Sequence, residues 1–415
     1  MQKRHNIVFL CFCAAFVCYI DRVNISVAII PMQEAFGWSD TTKGLVLSSF
    51  FIGYMVLQAP CGWLTNKIGG KIVLGFAVLS WSIFTLLTPV AAFISFPLLI
   101  AARIAMGLGE AAMFPATYNM LARWVPESER SRSTSFLISG VPLGTLFALL
   151  TTGWIISEFG WPYVFYIFGL VGLVWTVVWY FKCTVSPGDY PGITDAELEL
   201  LADLSVSEKD SVDIPWKRIL SHKAILVIFV NHFCTNWGLY LLLAWLPSYF
   251  KDVQGLSITN AGIYSAAPWL TMFILTNLAG WAADKLLVTG KSITFVRKLM
   301  QCSGMFGSAI FFVMAQYAGS PLTAMLLMCG ALGCIALTWS GWAPNLFDVA
   351  PRHADIIFGI SNTFATIPGI VGVALAGWLV DQTGSYASVF MITAAIQMIG
   401  GVLWLMYATG ERVID

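Results

Sequence analysis

The chain has 415 residues, 58% of them hydrophobic and only 11% charged, with a mean hydropathy of +0.79. Soluble domains carry about a quarter charged residues, so this composition excludes an ordinary soluble enzyme or binding module and indicates an integral membrane protein. Its 22 basic and 22 acidic residues cancel, which gives no reason to expect nucleic acid or an acidic surface as a partner.

A helix needs about 20 apolar residues to cross roughly 30 Å of hydrocarbon. Twelve such runs lie near residues 7–31, 42–63, 72–94, 97–122, 133–156, 161–182, 223–250, 259–285, 295–318, 322–348, 356–380 and 386–408. Barrel strands would need only about ten residues of alternating polarity, so the expected fold is all-α, with twelve transmembrane helices. The opening "MQKRHNIVFLCFCAAFVCYIDRVN" has the basic start and apolar stretch of a signal peptide. It runs on past Asp21 and Arg22 without an A-x-A cleavage site and reads as the first span. Sorting lysine and arginine between alternate loops places both termini in the cytoplasm, because the outer loops then hold only Lys43 and Lys251.

Span one places Asp21 and Arg22 within its apolar run, with Asn24 and Ser26 able to add hydrogen bonds. Span two adds Tyr54 and Gln58 and closes on "GWLTNKIGGK", residues 62–71. Span four carries Arg103 and Glu110, then Tyr118 and Asn119. Arg103 and Glu110 are two helical turns apart, on one face and roughly 10 Å from each other, too far for a direct pair but suited to line one cavity. An ionisable group at mid-bilayer costs several kcal/mol, roughly 2.5–3.5 on insertion scales, and persists where it faces an aqueous cavity or a partner. These four charges therefore form the candidate site, with mutual neutralisation in bracing ion pairs as the structural alternative.

The longest polar interruption, residues 183–222, separates two six-helix bundles at 1–182 and 223–415. In this cytoplasmic linker Thr194 and Glu197 have capping-box spacing ahead of a short surface helix, and its acidic run reads as a solvated face. Span seven offers Asn236, Trp237 and Tyr240, and span eleven offers Ser361 and Asn362, as hydrogen-bonding wall for a hydroxylated substrate or as helix-to-helix glue. His232 reads as a satisfied histidine, and Trp63, Trp154 and Trp281 as interface anchors. The halves repeat: "GWAADKLLVTGK" (280–291) echoes 62–71, and "GWLVDQTG" (377–384) echoes "GWIISEFG" (153–160). Such duplication makes the bundles pseudo-symmetric and is how many secondary transporters are built around a midplane site.

Other chemistry is poorly supported. The nine cysteines lie mostly within spans, with no zinc spacing, and no phosphate-binding G-x-x-x-x-G-K-[ST] loop is present. No cofactor and no metal are expected. A membrane enzyme would need a nucleophile with its base beside the charges, and a receptor on the same scaffold would not need Glu110 to titrate.

"GWLTNKIGGK" resembles the loop between spans two and three of the major facilitator superfamily, with Asn66 in place of the usual aspartate and Lys67 in place of the usual arginine. "YIDRVNISVAI" (19–29), "RIAMGLGEAAMFPA" (103–116), "HFCTNWGLYLLLAWLPSYF" (232–250) and "APRHADIIFGISNTFATIPGIVG" (350–372) resemble its anion:cation symporter branch. That branch includes sialin, vesicular glutamate transporters, plastid phosphate transporters and bacterial sugar-acid permeases. The resemblance implies anion binding by Arg22 and Arg103 and proton coupling through Glu110 and Asp21. Thr235 stands where the vesicular glutamate transporters carry a further arginine, which favours a singly charged acid.

The resulting expectation is a proton-coupled symporter of a monocarboxylate sugar acid working by alternating access. Sodium- or proton-coupled inorganic phosphate transport is the alternative. Gating contacts are expected from Gly62, Asn66, Lys67, Gly69, Lys71, Gly280 and Asp284 at the cytoplasmic side. The partners are a small organic anion, a proton and the lipid bilayer, the acting species is a monomer, and short inner loops suggest a bacterial inner membrane.

Overall fold

A computed structural model describes residues 2–202 and 214–414, so the linker segment 203–213 and its acidic residues lie outside the described part. Every regular element among the described residues is helical. The α-helices are α1 (Lys3–Phe36), α2 (Asp40–Ile68), α3 (Gly70–Ile94), α4 (Phe96–Glu110), α5 (Met113–Trp124), α6 (Glu127–Phe159), α7 (Trp161–Lys182) and α8 (Asp195–Ala202), followed by α9 (Trp216–Ile219), α10 (Lys223–Asp252), α11 (Ile258–Val288), α12 (Ile293–Ala315), α13 (Pro321–Thr338), α14 (Trp342–Val349), α15 (Ala354–Thr383) and α16 (Ala387–Tyr407).

Eleven helical stretches are long and apolar enough to cross a membrane. The remaining long helix, α11, has 31 residues and is diluted by Asn260, Ser265 and Asn277. With it the twelve expected spans are accounted for, the fourth as α4 plus α5 and the tenth as α13 plus α14.

Those two spans are interrupted, the fourth without any signal in its apolar sequence and the tenth at the Ser340–Gly341 pair. At Ala111 and Ala112 the backbone stays right-handed, but the Ala112 N–H turns to the Gly109 carbonyl at 3.4 Å, one residue short of α-helical pairing. In the tenth span Trp339, Ser340 and Gly341 bond successively to Ala336, Leu337 and Thr338 at 2.9–3.3 Å, again an i to i−3 pattern. The break in span four falls immediately after Glu110.

The chain divides into two compact units, Met1–Ala28 with Ser49–Val212, and Ile29–Ser48 with Asp213–Asp415. In the first unit glycines bring backbones into contact, as expected where helices pack without a hydrophobic drive between them. A Cβ on Gly53 would run into the Ile104 carbonyl and one on Gly107 into the Phe50 carbonyl, so α2 and α4 touch backbone to backbone. Gly144 likewise meets the Phe16 carbonyl, joining α6 to α1.

Thr194 starts α8, its hydroxyl accepting from the Glu197 N–H at 3.3 Å. The side chain of Glu197 does not return to Thr194. It accepts from the backbone N–H groups of Lys3 and Arg4 at 3.1 and 2.9 Å and so caps α1, whose positive end favours a carboxylate. Arg4 also holds Glu129 through two hydrogen bonds of 2.9 and 2.8 Å. Glu197 is therefore buried rather than part of a solvated face, while Asp195 and Glu199 are exposed.

In the second unit α10 packs along α15, and α12 along α13 and α16. Asn231, Gln301 and the Trp342 N–H form a buried chain at 3.0 and 3.2 Å, and Arg297 pairs with Asp348 at 2.7 Å. The repeat seen in sequence has a structural counterpart: Lys67 lies 4.9 Å from the Trp63 ring centre, and Lys285 the same 4.9 Å from that of Trp281.

Candidate functional site

The intramembrane charges of the first unit converge from α1 and α4, held by the glycine contact between α2 and α4. Arg22 and Glu110 are paired, Nε and one terminal nitrogen both lying 2.9 Å from Oε2. The Cys18 thiol donates to the same oxygen at 3.2 Å, and Oε1 is buried without a hydrogen-bond partner. The guanidinium is enclosed by the rings of Tyr19, Phe50 and Tyr54 at 4.7, 4.9 and 4.8 Å. Three π-faces around one cation hold it in place electrostatically while excluding water.

Arg103 is different. Its residue is 1% exposed, its one hydrogen bond among the described residues runs to the Met106 sulfur at 3.0 Å, and its Nε has none. The Phe50 ring lies 5.6 Å away, so one aromatic ring borders both arginines. Asp21 and Asn24 are fully buried; Asp21 faces the Trp81 indole and Arg103 without a well-formed hydrogen bond to either, and neither atom of the Asn24 amide makes one. Buried polar atoms without partners are expensive, so their concentration on two helices marks a place built to hydrogen-bond something else. Ser26 donates its hydroxyl to the Val23 carbonyl at 2.8 Å, which leaves only its acceptor side for another group.

The structure brings Asp21, Arg22, Tyr54, Arg103 and Glu110 together. Gln58 lies one turn past Tyr54 on the same face of α2 and is partly buried. Tyr118 is 42% exposed and stacks on Phe114, and Asn119 accepts from the Gly70 N–H at 3.0 Å and reaches Asn66 at 3.5 Å. Asn119 thus braces the α2–α3 turn, where Gly69 takes a φ of 100° that only glycine adopts readily. Of the other turn residues, Gly62 has open space beside it and Lys71 lies 5.9 Å from the Tyr180 ring.

In the second unit Asn236 donates to the Ala365 carbonyl at 3.1 Å, and Ser361 lies 2.8 Å from His232 Nδ1. His232 is buried and stacked on Trp342 at 3.8 Å, a satisfied histidine. Trp237 packs against Gly372 and Phe233, Tyr240 and Asn362 are partly buried, Gly280 has open space beside it and Asp284 is exposed.

Four contributors were not singled out from sequence: Cys18, Tyr19, Phe50 and Met106. Each sits three or four residues from a flagged one, the helical spacing that brings side chains onto one face. That spacing was the available signal.

Residues 11–372 match the family described as the Major Facilitator Superfamily. The Arabidopsis thaliana protein named sodium-dependent phosphate transport protein 1, chloroplastic, is 42% identical over 413 residues, covering 100% of this chain and 80% of that protein. The ascorbate transporter, chloroplastic, of the same plant is 41% identical over 413 residues, covering 100% and 76%. A solved D-xylose-proton symporter is similar in fold, with a TM-score of 0.78 at 17% identity over 98% of this chain and 99% of that one.

Proposed function

The chain belongs to the Major Facilitator Superfamily, and we propose that within it this protein is a proton-coupled symporter of a singly charged sugar acid. At the coarser level it is a multi-pass membrane protein that transports an anion and is not an enzyme. The observation that carries the finer reading is the contrast between the two buried arginines, Arg22 in a 2.9 Å ion pair with Glu110 and Arg103 in no such close pair, attracted to Glu110 and Asp21 only at longer range.

With all four groups ionised, two arginines and two carboxylates sum to zero and attract an anion weakly. A proton on Glu110 Oε1, the oxygen that Arg22 does not use, or on Asp21 leaves one positive charge in excess. Arg103 then takes the substrate carboxylate through its planar fork, for which two parallel hydrogen bonds are the favoured geometry. Proton and anion bind together because each makes room for the other's charge. Tyr54, Gln58 and Asn24 supply hydrogen bonds to substrate hydroxyls on this side. Of the further residues named from sequence, Tyr118 is kept as wall on this side, while Asn119 is not carried forward because it braces the α2–α3 turn, nor are Asn236 and Ser361, whose side chains bond to the Ala365 carbonyl and His232.

The proposed mechanism is alternating access, with the 62–71 turn as a gating element and the monomer as the acting unit. Ascorbate, named for a 41% identical relative, is itself a singly charged, hydroxylated anion. Phosphate is the second reading, favoured by the name of the 42% identical relative. The bacterial inner membrane is not carried forward, because both relatives are named as chloroplastic. Uptake of labelled hexonate, hexuronate, ascorbate and phosphate into proteoliposomes, under separate proton and sodium gradients, tests the reading. Proton-driven uptake of a sugar acid supports it, and sodium-driven uptake of phosphate alone replaces it with the second.

A further inference from the structure

Arg103 makes its one hydrogen bond among the described residues through Nη1, to the Met106 sulfur at 3.0 Å, while its Nε is buried without a partner. The two residues are one turn apart on α4, and Met106 is fully buried. Its sulfur is fixed from α3 as well, where the Thr85 hydroxyl, donating to the Trp81 carbonyl at 2.9 Å, lies 3.8 Å away. The backbone that carries the sulfur is fixed too, because Gly107, the next residue, sits against the Phe50 carbonyl. A guanidinium meets an oxyanion best through two parallel donors along one edge, and Nε with Nη2 form such an edge. Arg22 turns this edge to Glu110, with both nitrogens 2.9 Å from Oε2. In Arg103 the sulfur engages Nη1, and the edge formed by Nε and Nη2 is the one without an acceptor.

A thioether is a weak acceptor, so this contact leaves the charge of Arg103 unneutralised. It does give Nη1 a fixed place where the competing acceptors are carboxylates, since Arg103 is attracted at longer range to Glu110 and Asp21. A guanidinium with nothing on Nη1 is free to turn toward these groups, and an arriving anion must then break an ion pair in order to bind. We propose that Met106 is a positioning residue, holding Arg103 by Nη1 so that the edge formed by Nε and Nη2 is presented to the substrate anion. An aliphatic side chain at this position fills the same space but leaves the guanidinium unheld. The inference rests on Arg103 being the receptor for the anion, as proposed above, and not on which anion is carried.

The test measures, by calorimetry on the full-length protein in detergent, the affinity for whichever of gluconate, ascorbate and phosphate the unaltered protein binds most tightly. Met106→Leu conserves volume and removes the acceptor. It is expected to weaken binding by roughly fivefold, about the net worth of one hydrogen bond, with little change in Tm. Met106→Gln puts a carbonyl oxygen at similar reach and should recover most of that loss. A role in packing alone predicts the reverse order, because leucine suits an apolar site and a buried amide disturbs it. In an Arg103→Lys background, which lacks the edge, Met106→Leu is expected to have no further effect. Unchanged affinity in Met106→Leu, a larger loss in folded Met106→Gln than in Met106→Leu, or an equal loss in the Arg103→Lys background overturns the proposal. Should Met106→Gln fold poorly, Met106→Leu with and without Arg103→Lys still decides it. Full affinity in Arg103→Lys removes the receptor reading itself and the positioning role with it, which separates that failure from failure of Met106 alone.

Discussion

Arg22 and Glu110, 88 residues apart in the chain, meet on a single carboxylate oxygen, with two guanidinium nitrogens at 2.9 Å and the second oxygen left without a partner. This one-sided pairing separates two roles on one side chain. Oε2 anchors the arginine in its aromatic enclosure, and Oε1 is where a proton can sit without displacing that anchor. Arg103, bordered by the same Phe50 ring, is the residue proposed to meet the anion.

Replacing the two arginines with methionine is expected to affect the folded protein unequally. Arg22→Met strands Glu110 as a buried, uncompensated carboxylate and should lower stability by about 3–5 kcal/mol. Arg103→Met removes a buried charge that makes no close ion pair and is attracted to Glu110 and Asp21 only at longer range, and should lower the substrate-free Tm much less than Arg22→Met does. Thermal unfolding in detergent, followed by tryptophan fluorescence, distinguishes the two, and equal losses in both would contradict the asymmetry.

Arg103→Lys keeps the charge but loses the planar fork. Substrate affinity should fall by roughly 2 kcal/mol or more, about thirtyfold, as expected when one side of a desolvated charge pair is degraded. Ligand binding by calorimetry checks this, and an unchanged Kd would assign the anion elsewhere.

Gly107→Ala places a Cβ against the Phe50 carbonyl, where no flexible side chain can yield. The α2–α4 contact must open, at a cost of about 1–3 kcal/mol, and Phe50 and Tyr54 move with it. A lower Tm accompanied by weaker substrate binding is expected. By contrast, Gly62→Ala faces open space and should preserve both.

The bundle was legible because its information is local. Twenty-residue apolar runs need no tertiary context, and duplicated "GW" turns mark the halves. The break at Ala111–Ala112 was not legible, because these residues are as apolar as the helix around them, whereas Ser340–Gly341 in the tenth span is a turn-marking pair whose signal the surrounding apolar run masks. Spacing put Arg103 and Glu110 on one face but could not say that Glu110 turns to α1 for its partner. Lys43, fully buried near the start of α2, and Glu197 were misread for a shared reason. Charged residues at helix ends default to solvent, and only packing from distant segments buries them.

The Arg4–Glu129 contact gives the cluster at the starts of α1 and α6 a pH dependence of known sign. The hydrogen bonds from Arg4 hold the Glu129 carboxyl below its ordinary range. Its stabilisation is therefore present above the unfolded carboxyl pKa, about 4.3, and is lost as pH falls through the lower folded value. Glu129 is about one-third exposed, so screening limits the effect to about 1 kcal/mol or less. The acid limb of a Tm-against-pH curve should be shallower in Glu129→Gln than in the unaltered protein, and identical limbs would refute the assignment.

Cys183, just past α7, has its thiol pushed up to about 12 by burial. The thiolate is the reactive species, so at pH 8 this residue should resist alkylation in the folded protein and react on unfolding. Peptide mapping after brief maleimide treatment checks this, and rapid labelling in the folded state would contradict the burial.

The central claim, with Glu110 taken ahead of Asp21 as the carboxylate that carries the proton, is that this one proton lets the anion bind and be driven. Glu110→Gln, which mimics the protonated carboxyl in shape and charge, tests it most directly when two assays are run on the same proteoliposomes. Accumulation driven by an imposed proton gradient should be lost, while exchange of internal for external substrate, which needs no net proton movement, should persist. Proton-driven accumulation that survives in Glu110→Gln would contradict the account.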